Sequence, residues 1–191
     1  MILAPRDKYD PEKFDRPGVF TTRSGRDIDI LDFRVEDIKV EEVAHALALT
    51  CRYGGHCREF YSVAQHAVIV ARYLEAQGHP LDVVMAGLHH DDSEAYLGDI
   101  IRPLKDLLPI YKEIETRFEM TLAEHFGIQY PYHEAVKDAD MKVFEQEVED
   151  VKWYSPSNPV IVPWDWQRAK TEYLRAHMML KVRMELAECD E

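Results

Sequence analysis

The stretch from Ser62 to Pro80 constrains the fold most. Ser62-Val63-Ala64-Gln65 has capping-box spacing, in which a serine hydroxyl and a glutamine three positions on satisfy each other's free backbone amides at a helix start. Val68, Ile69 and Leu74 carry the apolar pattern onward, and Gly78 and Pro80 end it. Helix-compatible segments of the same kind fill most of the chain. One is expected over Val40 to about Arg52, with Val43, Ala44, Leu47 and Ala48 on a single face and Gly54-Gly55 beyond its end. Others are expected over Leu81 to about Leu97, Pro109 to Phe126, Pro131 to about Trp153, and Trp164 to about Glu188. Only Val19 to Ile30 reads as β structure, because β-branched residues flank Ser24-Gly25 as in a small hairpin. The expectation is an all-α bundle of five or six major helices with a small N-terminal β-hairpin. Residues 1–18 are expected to be irregular, 19–163 to form the core and 164–191 to carry the C-terminal helix, all within one domain.

A chain of 191 residues that is 46% hydrophobic can bury a core large enough to position a site. Its formal charge of −13 excludes a general nucleic-acid surface, since neutralising phosphates needs clustered Lys and Arg. No stretch approaches the roughly 20 apolar residues of a membrane span. The opening MILAPRDKYDPEKFDRPG is too polar for a signal peptide, so a cytoplasmic protein with no membrane partner is expected. Cys51, Cys57 and Cys189 form no C-x-x-C and leave an odd thiol, which points to reduced, structural cysteines.

The chemistry gathers in Leu88 to Asp99, LHHDDSEAYLGD, where two adjacent histidines and four carboxylates meet no base. On one helix face Asp91, Asp92, Glu94 and Asp99 repel one another, and a divalent cation reverses that sign. Imidazole with carboxylate suits first-row divalent ions. The ordinary alternative is a solvated acidic face. His90 and Glu94 stand four apart and Asp91 and Glu94 three apart, so these groups leave the helix on one side. Adjacent residues alone do not surround an ion, so other helices must supply ligands.

Three ordered motifs bear on this. Tyr61 to His66 reads Y-S-V-A-Q-H, Leu88 to Glu94 reads L-H-D-x-S-E with His89 as an extra histidine, and Lys137 to Asp140 reads K-D-A-D. Together they resemble the H…HD…D signature of HD-domain metal-dependent phosphohydrolases, in the branch of 5′-deoxynucleotidases and deoxynucleoside triphosphate hydrolases. The resemblance runs from about Thr21 to Trp153 and takes in the A-H-A-L and C-R-Y-G-G-H segments. It implies an HD-domain helical bundle with His66, His90, Asp91 and Asp140 as metal ligands. It also implies catalytic roles for Glu94, orienting or deprotonating the attacking water, and for Asp99, acting at the leaving oxygen or holding a further metal-bound water. Arg52, Lys105 and Lys137 match phosphate-contacting positions, with Arg52 the natural bidentate group; solvated surface cations are the plain alternative for the two lysines. Arg58 and Arg102 are further candidates.

The implied cofactor is a divalent metal ion: cobalt, manganese or zinc, with magnesium also admitted. The implied activity is hydrolysis at the 5′-phosphate of a deoxynucleotide, either a monophosphate or a triphosphate such as dATP, by a homo-oligomer. A catalytically inactive nucleotide-binding module and a cyclic-dinucleotide or alarmone hydrolase are the other readings.

Several residues have more ordinary expectations. His89 is assigned a structural or outer role, and Asp92, where the resemblance has a small residue, is expected to face solvent. His45 is expected to be a hydrogen-bonded packing residue, and His56 to be structural or part of a substrate loop. Tyr53 and Phe60 are read as core residues before base-stacking ones. Pro163-Trp164-Asp165-Trp166 is read as the anchored start of the last helix.

Overall fold

The computed structural model describes residues 17–154 and 156–189. The irregular segment expected at residues 1–18 therefore lies, apart from Pro17 and Gly18, outside the described residues. Strands β1 (Val19–Thr21) and β2 (Asp27–Asp29) pair antiparallel with Phe20 opposite Ile28, giving the expected hairpin. Eight α-helices follow among the described residues: α1 (Val40–Leu49), α2 (Val63–Ala76), α3 (Leu81–His89), α4 (Glu94–Leu97), α5 (Arg102–Lys105), α6 (Pro109–Phe126), α7 (Glu134–Glu147) and α8 (Trp166–Cys189). The architecture is the expected all-α bundle with a small β-hairpin.

Helix α2 is the centre of the bundle. Its start is capped by the serine half of the expected box, with Ser62 Oγ accepting from the Gln65 backbone N–H at 3.2 Å, while the Gln65 side chain turns to the Val162 carbonyl and the Trp164 backbone N–H instead of the Ser62 amide. Val63, Ala64, Gln65, His66, Ala67 and Val68 are buried in unbroken succession, so the first half of this helix is enclosed on every side. Helices α1, α3, α7 and α8 surround it. Helix α3 approaches most closely at Gly87, where an added Cβ would lie 2.3 Å from Leu74 Cδ1 and 3.5 Å from Val70 Cγ1. That missing side chain lets the end of α3, and the histidines there, come up beside His66.

Five boundaries differ from the sequence expectation. The helix expected to run from Leu81 to Leu97 breaks after His89. His90 Nδ1 lies 2.8 Å from the Gly87 carbonyl, so the imidazole takes up an acceptor near the helix end, and the chain passes through a turn before α4. The first helix ends at Leu49 rather than near Arg52, because the Arg52 N–H donates to the Tyr61 carbonyl at 2.9 Å and Cys51 pairs with Ser62 as an isolated bridge. Helix α7 begins at Glu134 rather than Pro131, with His133 Nδ1 accepting from the Ala135 N–H at 3.1 Å, and it ends in a π-helical turn, Val148–Lys152. The last helix starts at Trp166, two residues later than expected. Its anchoring is as expected: Trp164 is buried, its backbone N–H donates to Gln65 Oε1 at 2.7 Å, and Asp165 Oδ1 caps the Arg168 backbone N–H at 2.7 Å.

Gly87→Ala is expected to destabilise the fold by about 1–3 kcal/mol through overpacking against Leu74. Denaturant unfolding checks this, and Leu74→Ala in the same chain should remove most of the additional cost of the alanine.

Candidate metal centre

His66 lies in the first turn of α2 and is fully buried, His90 follows the end of α3, and Asp140 stands midway along α7. One ligand atom from each lies within 4.8 Å of the others. His66 Nε2 is 3.1 Å from Asp140 Oδ1, and His90 Nε2 is 4.0 Å from the same oxygen. Asp91, the fourth expected ligand, stands at the edge of this group, its carboxylate 3.3 Å from His90 Nε2 and 3.6 Å from His66 Nε2. The other nitrogen of each ring is already occupied. His66 Nδ1 faces Glu147 Oε1 at 2.7 Å, and His90 Nδ1 faces the Gly87 carbonyl at 2.8 Å. Such contacts fix the ring orientations and leave Nε2 on each imidazole aimed at the same space. Both Nε2 atoms are buried and lack an aligned hydrogen bond. Two orphaned imidazole nitrogens converging with a carboxylate oxygen fit a divalent cation, because such atoms are expensive to bury without a partner.

Glu147 is the residue that the sequence motifs miss. It lies seven positions after Asp140 on α7, two helical turns and hence the same face, and that spacing is the signal that finds it. Its fully buried carboxylate accepts from Tyr61 Oη at 2.7 Å at the oxygen that also meets His66. The other oxygen takes the Tyr53 hydroxyl and lies 3.3 Å from Arg52 Nη2. Burial pushes this carboxyl up, but the His66 and Arg52 charges and its hydrogen bonds outweigh that and bring it down to about 2. Burial and the Arg52 charge oppose protonation of His66, yet Glu147 and Asp140 raise it to about 9. Asp140 is held below the usual carboxylate range by His66 and His90 in spite of its burial. A cation at the centre therefore competes with a proton on His66.

The expected catalytic and phosphate-binding residues fall at different distances from this centre. Burial, together with repulsion from Asp91 and Asp99, pushes the Glu94 carboxyl well up, and its Oε2 is buried without a hydrogen bond. Asp99 is likewise raised by burial and accepts the Tyr53 backbone N–H at 2.9 Å. Lys105 Nζ lies 3.6 Å from Glu94 and 2.6 Å from Glu115. Arg52 is buried, and its guanidinium spans Asp91, at 3.4 Å, and Glu147. Lys137 is exposed, one turn before Asp140, and pairs with no carboxylate among the described residues. Arg102 is exposed, and Arg58 is turned to the Asp150 carbonyl.

The tertiary structure corrects three ordinary readings. Asp92 is fully buried rather than solvated, because His89 and Tyr173 supply it with donors inside the bundle. Phe60 is 40% exposed, since its loop runs along the surface, and it is not a core residue. His45 packs edge-on against Trp166 as a packing residue, but its Nδ1 has no hydrogen-bond partner. Tyr53 is half-buried, packs against the core and lends its hydroxyl to Glu147. His56 is exposed. Cys51, Cys57 and Cys189 are free thiols. Among the described residues no helix is long and apolar enough to cross a membrane.

Glu147→Gln is expected to weaken divalent-metal affinity by about 10- to 100-fold, the usual effect of losing an outer partner of a metal-bound histidine. Calorimetric titration of the folded variant with cobalt or zinc provides the check.

No family model matches the chain. It is 37% identical over 116 residues to the uncharacterized protein YfdR of Escherichia coli K12, a match spanning 61% of this chain and 62% of that protein. It is 34% identical over 142 residues to the uncharacterized protein RCAP_rcc00048 of Rhodobacter capsulatus, spanning 69% of this chain and 72% of that protein. The chain belongs to the same family as RCAP_rcc00048.

Proposed function

We propose that this chain is an HD-domain metal-dependent phosphohydrolase that hydrolyses the 5′-phosphate of deoxynucleotides. The observation that carries the reading is the convergence of two buried, unpartnered imidazole nitrogens and one carboxylate oxygen, from His66, His90 and Asp140, with Asp91 beside them. The N,N,O donor set suits cobalt, manganese or zinc better than magnesium. When bound, such an ion acidifies a water and polarises a phosphoryl oxygen.

The remaining steps belong to the side chains. Hydrolysis forms a bond from water oxygen to phosphorus, breaks the bond from phosphorus to O5′, and moves one proton from the water to the departing nucleoside. Glu94 and Asp99 are the acids available beside Asp91, and in this reading they take up and return that proton. Lys105 holds Glu94 in place through their 3.6 Å contact and adds positive charge on the substrate side. Arg52 keeps Asp91 and Glu147 apart in charge while presenting a fixed guanidinium at the edge of the centre. The reading covers both a deoxynucleoside monophosphate and a triphosphate, which differ only in whether phosphate or triphosphate is formed as the nucleoside departs. Action in the cytoplasm, as a homo-oligomer on a small-molecule substrate, forms part of the same reading.

Product analysis tests the reading directly. Protein reconstituted with cobalt, manganese, zinc or magnesium is incubated with dNMPs, NMPs and dNTPs, and nucleoside, phosphate and triphosphate are followed separately. Nucleoside with phosphate from dNMPs identifies a 5′-deoxynucleotidase, nucleoside with triphosphate from a dNTP identifies a triphosphohydrolase, and an absence of turnover with every metal overturns the reading. Glu94→Gln is expected to keep its metal and lose about 10²- to 10⁴-fold in kcat; an unchanged kcat removes Glu94 from the proton transfers.

A further inference from the structure

Behind the metal centre lies a second group of polar side chains that none of the proposed chemistry uses. His89, Asp92 and Tyr173 are essentially inaccessible, and His177 is 7% exposed. His89 Nδ1 lies 2.6 Å from Asp92 Oδ2, and Tyr173 Oη lies 2.5 Å from Asp92 Oδ1 and 2.9 Å from His89 Nδ1. His89 Nε2 lies 3.0 Å from His177 Nδ1, and the Phe126 ring stacks on His89 at 3.8 Å. One arrangement of protons satisfies the whole chain. Asp92 accepts from the Tyr173 hydroxyl and from His89 Nδ1–H, which leaves His89 Nε2 to accept from His177 Nδ1–H.

The order of residues gives this network its meaning. His89 and Asp92 immediately flank His90 and Asp91 in the chain, so four consecutive residues divide into an inner and an outer pair. The inner pair, His90 and Asp91, faces the metal centre, and the outer pair faces α8. The backbone between them is a turn rather than a continuous helix, held by short-range bonds from Asp92 N–H to the His89 carbonyl at 3.2 Å and from Glu94 N–H to the Asp91 carbonyl at 3.0 Å. Beyond these bonds and that from the Ala95 N–H to the Asp92 carbonyl at 3.1 Å, the side chains at its two ends fix where the turn sits. Tyr173 and His177 lie one turn apart on one face of α8, and that helix packs against α2 and α3.

We propose that Asp92, Tyr173 and His177 are positioning residues which, acting through His89, hold His90 and Asp91 at the metal centre. This rests on the metal-centre reading above. The side chains that fix one ligand pair then come from the C-terminal helix, far from every ligand in sequence.

The test uses cobalt alone as the probe, with the full chain. Cobalt dissociation constants, the visible absorption of the bound ion and the melting temperature of the metal-free protein are measured for the wild type, Tyr173→Phe, His177→Phe and His177→Asn. Positioning predicts about 10-fold or greater loss of cobalt affinity with an altered visible band in Tyr173→Phe and His177→Phe. His177→Asn, whose amide can donate where Nδ1–H does, should recover both. A lowered melting temperature with wild-type affinity and an unchanged band in the folded variants overturns the proposal, because a purely structural network moves stability alone. If Tyr173→Phe does not fold, the two His177 variants decide. Wild-type protein that takes up no cobalt overturns the metal-centre reading itself and this proposal with it.

Discussion

Glu147 is a carboxylate removed from water in the middle of a helical bundle, and the bundle is arranged to make that tolerable. Burying an unpaired carboxylate costs several kcal/mol. Here four neighbours share the charge: His66 from α2, Arg52 and Tyr53 from the loop after α1, and Tyr61 just before α2. Each of these groups is pulled toward one point on α7. The irregular segment between α1 and α2, which has little regular hydrogen bonding of its own, is thereby located relative to the bundle. Tyr53 holds a left-handed backbone with φ of 61°, and both its hydroxyl and its N–H are used, one on Glu147 and the other on Asp99.

The electrostatics of the centre follow from that anchor. Because Glu147 occupies Nδ1 of His66, the opposite nitrogen is directed toward Asp140 and Asp91. Arg52, spread between Glu147 and Asp91, and Lys105, beside Glu94, together neutralise part of the acidic cluster. Burial keeps the Glu94 and Asp99 carboxyls raised, with repulsion from Asp91, against the lowering pull of Arg52 and Lys105. The centre thus separates carboxylates held ionised, Asp140 and Glu147, from carboxyls whose surroundings favour the protonated form.

Much of this was legible in the residues, for identifiable reasons. Helices α2 and α6 are framed by strong local signals: Ser62 and Gln65 at one start, Pro109 at the other, Gly127 with φ of 65° at the end. Local signals failed where a side chain outcompeted the backbone pattern. The run from Leu81 to Leu97 keeps helical spacing, but His90 takes the Gly87 carbonyl and the helix stops. Asp92 departs from the expectation for a similar reason. A charged residue in an acidic run is ordinarily solvated, and its donors, His89 and Tyr173, lie three and 81 positions away.

The sequence by itself determined the helical class, the hairpin and the positions of most candidate site residues, because capping, periodicity and residue type are properties of short stretches. Which of these residues meet was decided by tertiary structure. Gly87 lets α3 close on α2, and α7 lays Asp140 and Glu147 across both histidines. The burial that shifts Glu94 and Asp99 upward, and the His66 and Arg52 charges that hold Glu147 ionised against its own burial, exist only once several helices have packed, since desolvation and charge pairing depend on distances that no single segment fixes.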